Sequence, residues 1–209
     1  MSYVMTYNNL VADIESYLER TDQATLSKIP TFIGLAEQVI ASEIKFLGNL
    51  VVVSSNMVTN DPIIQKPARW RKTVSMNVTV AGDRRPILLR KYEYLREFWP
   101  DPTQTDVPEY YCDYNYDHWL VAPTPADDYA YEVLYYERIQ PLDSSNQTNW
   151  FTQYAPQALL YGSLLQAMPF LKNDERIPMW QQQYQAIMEV LKTEDVARIG
   201  DRQAVVRDS

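Results

Sequence analysis

The chain has a single cysteine, Cys112, a single histidine, His118, and only five glycines among 209 residues. Each scarcity excludes some chemistry. One cysteine leaves no intrachain disulfide and fits assembly in a reducing compartment. One Cys and one His cannot form a His/Cys zinc site within one chain. Few glycines give few positions for positive φ or for close backbone approach to a phosphate. No G-x-x-x-x-G-K-[ST] or G-x-G-x-x-G motif is present, so no phosphate-cradling loop is signalled. Gly162-Ser163 lies in an apolar helical run and lacks the second glycine of a nucleophile elbow, so it reads as a packing contact. No apolar stretch approaches ~18–20 residues, so no membrane span is expected. No charged segment followed by an apolar run opens the sequence, so no secretion signal is expected. Positive charge is in the minority, with a formal net charge of −8. That balance gives no global attraction for nucleic acid or an anionic membrane.

What is present is a packable chain, 46% hydrophobic and rich in tyrosine. Leu10, Val11, Ile14 and Leu18 follow helical spacing, with Thr6 as N-cap. A second helix is predicted from Pro30, with Phe32, Ala36, Val39, Ile40 and Ile44 as its buried stripe and Gly48 as its stop. From about Leu50 to Leu142 the pattern turns β-branched. Val74, Met76, Val78 and Val80 alternate with Ser75, Asn77 and Thr79. Ala81-Gly82-Asp83 is a turn signal before a strand near Pro86 to Arg90, and Lys91 to Trp99 suggests a short helix ended by Pro100. Two strands flank Asn115-Tyr116-Asp117, and another runs from about Tyr129 to Arg138. Helical spacing returns from Trp150 to Met168. It returns again in Ile177, Trp180, Tyr184, Ile187, Met188 and Leu191. The expected fold is α+β: a four-helix bundle formed by the N- and C-terminal helices, with an inserted antiparallel β lobe. The expected divisions are 1–48, N-terminal helices; 49–147, β lobe; 148–197, C-terminal helices; and 198–209, a tail expected to be loose.

No catalytic, cofactor-binding or metal-binding residue is assigned. Asp113-x-Asn115-x-Asp117 matches the opening of a calcium loop, but its sixth position is His118 and its twelfth Thr124, where glycine and glutamate are required. A hairpin is expected instead, with Tyr110, Cys112, Tyr114 and Tyr116 on one side. His118 reads as a turn residue and Cys112 as a small core residue. Carboxylates are plentiful, and a hydrolytic pair among them is left open. Arg69, Arg71, Lys72, Arg84 and Arg85, followed by Arg90, Lys91 and Arg96, form a basic run in the β region. Its two readings are an inter-subunit contact and a solvated face.

Several motifs are similar to those of one family. They are Ile29-Pro30-x-Phe32-Ile33-x-x-Ala36-Glu37-x-x-Ile40, Pro67-x-x-Trp70-Arg71, Pro108-x-Tyr110-Tyr111, Leu120-x-x-Pro123-x-Pro125, and Tyr129 through Tyr135-Tyr136 to Pro141-Leu142. Asn149-Trp150, Pro156-x-Ala158-Leu159-Leu160-Tyr161-Gly162 and Trp180-x-x-x-Tyr184 complete the set. The chain resembles the head-to-tail adaptor, or connector, proteins of tailed bacteriophages, especially short-tailed ones. None of these motifs is catalytic. The resemblance implies a non-enzymatic virion protein of the neck, assembled in the host cytoplasm. It implies a ring of self-copies, typically a dodecamer, between the portal protein and a tail or nozzle protein. Double-stranded DNA would pass through without being read, and an acidic channel would let it slide. A C-terminal tail carrying Arg198, Arg202 and Arg207 is the expected portal-docking segment. The rival readings are another neck or tail interaction protein, such as a stopper or terminator, and a carboxylate-based cell-wall hydrolase.

Overall fold

The computed structural model describes residues 5–44, 49–171 and 174–203, with side chains up to residue 197. The chain divides into two compact units, residues 1–49 with 139–209, and residues 50–138.

In the helical unit, α1 (Tyr7–Leu18) starts where the Thr6 hydroxyl accepts the Asn9 N–H, and it buries Leu10, Ile14 and Leu18. The single-turn α2 (Gln23–Leu26) is capped by Asp22. Pro30 sits in the first turn of α3 (Ile29–Glu43), which buries Phe32, Ile33, Ala36 and Ile40. The expected stop at Gly48 lies outside the described residues. The apolar segment from Trp150 is not one helix. It breaks at Ala155-Pro156 into α5 (Trp150–Tyr154) and α6 (Pro156–Gln166), because a proline interior to a helix loses a hydrogen bond and clashes with the preceding turn. A 3-10 turn (Met168–Phe170) follows, then α7 (Ile177–Gln203), which continues past the point where a loose tail was expected.

The four-helix bundle is not what these segments build. α6 is the hub, packing against α1, α3, α5 and α7. Its Ala158, Leu159, Leu160, Gly162, Ser163 and Leu164 are all buried, leaving little of it to face water. A helix that is apolar nearly all round sits inside the others instead of taking one corner of a square. Of the long α7 stripe, only Trp180 and Met188 are fully buried.

Nor is the β region a wholly antiparallel lobe inserted in a bundle. It is a seven-stranded mixed sheet in the order β1-β9-β3-β4-β6-β7-β2. The strands are β1 (Leu50–Asn56), β2 (Ile63–Gln65), β3 (Trp70–Val80), β4 (Asp83–Leu89), β6 (Tyr110–Asp113), β7 (His118–Ala122) and β9 (Ala130–Glu137). β4 and β6 run parallel, through Leu88–Tyr110 and Leu89–Tyr111. A parallel neighbour needs a crossover, and α4 (Tyr92–Phe98) lies in it. A separate two-stranded parallel sheet joins β5 (Thr105–Asp106) to β8 (Thr124–Pro125). The alternation read from Val74 onward also fails at its first residue. The β3–β9 register shifts between Thr73 and Ser75, and the extra residue, Val74, is 43% exposed, whereas Met76 and Val78 stay in the core. The sheet owns a core of Met57, Ile64, Met76, Val78, Ile87, Tyr111, Trp119, Val121, Tyr131, Val133 and Tyr135. A smaller cluster gathers Leu95, Cys112, Leu120 and Ala122.

Candidate functional site

The residues that match the opening of a calcium loop hold a turn. β6 and β7 form the expected hairpin, and its turn is built by Asn115. The Asn115 side-chain oxygen accepts the N–H groups of Asp117 and His118 and lies 3.0 Å from His118 Nδ1. Cys112 is buried and Tyr110 half-buried, whereas Tyr114 and Tyr116, beyond the strand, are exposed. Burial, with a smaller contribution from the Asp113 charge, pushes the Cys112 thiol up, away from the reactive thiolate. Among the described residues, no group of three His, Cys, Asp or Glu side chains could hold a metal ion.

Two charged residues are buried anchors. The Lys66 side chain is 3% exposed. Its ammonium donates to the Asn115 carbonyl at 2.8 Å, lies 3.0 Å from the Asp113 carboxylate and sits 3.8 Å from the Trp70 ring centre. In the helical unit, Glu37 accepts the Leu142 N–H at 3.3 Å and the Asn149 amide at 2.6 Å. Asn149 also closes a capping box at the start of α5. Burial pushes the Glu37 carboxyl up, and these two donors partly oppose that shift. The sequence signals for both anchors were slight: Lys66 stands before Pro67, and Glu37 and Asn149 belong to motifs shared with the resembled family.

The basic run does not form one patch. Arg71 and Lys72 lie at one end of β3, whereas Arg84 and Arg85 pair with Thr79 and Val78 near the other. Lys72 and Val78 are six steps apart along the strand, roughly 20 Å. Arg69 bonds Glu137 at 2.9 Å, and Arg84 lies 3.4 Å from Glu132, both on β9. Arg198 and Arg202 lie on α7, but their side chains are outside the described residues, as is all of Arg207.

A surface of another composition stands between β4 and α4. Leu89 and Tyr92 are exposed there, and the exposed Tyr114 ring lies 6.1 Å from that of Tyr92. Leu89 and Tyr92 line an open hollow of about 520 Å³ with Arg90, Lys91, Glu93, Cys112 and Asp113. Arg90 lies over the rings of Tyr94 and Tyr110, and Arg96 over Tyr92. Exposed aliphatic and aromatic groups set among arginines have the composition of a protein contact.

The sequence model of the SU10 adaptor protein family matches residues 5–207, and the chain belongs to that family of phage head-to-tail adaptors, structural proteins of the virion neck. A search of the curated proteins finds no match.

Proposed function

We propose that the chain is one subunit of a closed ring that connects the portal to the tail and forms part of the DNA channel. The family match over residues 5–207 carries this reading. A ring needs a heterologous interface whose rotation closes, burying more than ~2,000 Å² if the ring is obligate. The aromatic–arginine surface beside α4 suits such a contact. Arg71, Lys72 and Arg85 are further candidates for it, with Arg69 and Arg84 set beside them by their β9 partners. The copy number proposed is twelve, as is typical of such adaptors, with assembly in the host cytoplasm. The net charge of −8 supports a channel that lets DNA slide without reading it.

The end of α7, with Arg198, Arg202 and Arg207, is the proposed portal-docking segment. Mixing the chain with its portal and measuring the mass of the product tests the ring: a multi-subunit annulus on portal is expected, and a chain that stays free overturns it. Deleting residues 197–209 is expected to abolish portal attachment while leaving the helical circular dichroism of the rest. Unchanged attachment would remove the docking assignment.

A further inference from the structure

We propose that the open edge of β1 receives a β-strand from another protein of the tail. β1 is one margin of the large sheet, and β9 pairs with it along its whole length, from Leu50–Tyr136 to Asn56–Ala130, without a bulge. In an antiparallel pair, alternate residues turn their N–H and C=O away from the partner strand. Among the described residues, no hydrogen bond reaches those groups on β1.

Edge strands are usually shielded by proline, charge, a bulge or shortness. β1 has none of these. It is seven residues long, Leu-Val-Val-Val-Ser-Ser-Asn, with Val52 55% exposed. The opposite margin shows the contrast. β2 is three residues long and stands between Pro62 and Pro67. One edge is blunted and the other is left open.

A row of unpaired backbone donors and acceptors specifies its ligand class: an extended strand, not a helix or a small molecule. Seven residues offer roughly 23 Å of pairing. Among the described residues, a second copy of the chain offers no fitting donor strand. Its β2 is too short and proline-flanked, and β5 and β8 are two residues each. Pairing β1 with β1 of another copy is isologous and closes a two-fold dimer, not a ring. The choice of a different protein as donor therefore rests on the ring proposed above.

Amide exchange read by mass spectrometry tests this in three states: the chain alone, the ring on portal, and tails purified from virions. Alternate β1 amides should exchange fast in the first two states. In the purified tail they should slow by on the order of tenfold or more. The double variant Val52→Lys with Ser54→Lys changes two exposed side chains. It should melt like the parent and form the ring, yet fail to add the tail. Three results overturn the proposal: protection already present in the chain alone at dimer mass or on ring closure, fast exchange in the complete tail, or normal tail addition by the double variant. The ring is judged separately by the mass on portal, so its failure cannot be mistaken for that of the strand donor.

Discussion

The two units differ at their tightest points. The helical unit buries Trp180, Phe32 and Phe151 fully, but around α6 it is closed by small residues. At Gly162, an added Cβ would meet the Tyr184 ring at 3.3 Å, Ala36 at 3.4 Å and Ile40 at 3.5 Å, so α3 and α7 both approach α6 at that point. Ser163 is buried beside it and returns its hydroxyl to the Leu159 carbonyl. The sheet unit is closed by large rings and a buried cation. Trp119 is fully buried, meets Trp70 edge-on at 6.2 Å, and shares the Lys66 ammonium with it. Helix axes can be drawn together by removing volume. A twisted sheet leaves a hollow that must be filled, and aromatic side chains fill it.

That contrast breaks most sharply at Trp119. Trp119→Ala should cost about 3–5 kcal/mol, the range for deleting a buried aromatic, because it opens a cavity and strips Lys66 of part of its seat. Urea unfolding followed by tyrosine and tryptophan fluorescence measures the loss. Trp119→Phe should cost clearly less. It keeps a ring in the site, and the indole N–H it removes has no acceptor among the described residues. A near-neutral alanine variant would show that the sheet does not depend on ring volume.

The converse change is addition of volume at Gly162. Gly162→Leu should destabilise by about 1–3 kcal/mol through overpacking, even though leucine is the better helix former. Thermal melting by far-ultraviolet circular dichroism reads it. A stabilised variant would mean that α6 and its neighbours have slack, and the close-packing account of the hub would fail.

What was legible in the sequence was local. Thr6, Pro30 and the stripe of α1 act within a few residues of themselves, so spacing and capping rules reach them. The hairpin around Asn115 is equally local, since its turn is built from hydrogen bonds two and three residues away. What was missed acts at a distance. The role of α6 as hub depends on helices from both ends of the unit, and its all-round apolar sequence reads equally well as one wide face. The parallel β4–β6 pairing depends on a crossover that no alternation pattern encodes. The bulge at Val74 depends on β9, far downstream. Lys66 reaches a carbonyl 49 residues away, and Glu37 reaches donors 105 and 112 residues away. A charged side chain with remote partners looks, in sequence, like any solvated one. The basic run is split along the sheet for a related reason. Nearness along the chain becomes distance when a long strand carries its residues to opposite ends.

The smallest expected effect concerns the buried carboxylate that the helical unit holds where the sheet unit holds an ammonium. Burial raises the Glu37 pKa in the folded chain above its ordinary value, so the folded state holds this proton to higher pH than the unfolded chain does. Stability therefore falls as pH rises from the ordinary glutamate range through the raised value, and the charging penalty stays in place above it. Glu37→Gln cannot charge, and its side-chain oxygen can still accept one of the two donors. The variant should be no more stable than the parent in acid, where the parent carboxyl is neutral, and should gain on it as pH rises through the raised value, with the gap constant above that. Urea titrations across that interval measure the gap. A gap that widens in the opposite direction would mean that the donors Leu142 and Asn149 outweigh burial, and that the charge of Glu37 is itself what fastens the returning segment to α3.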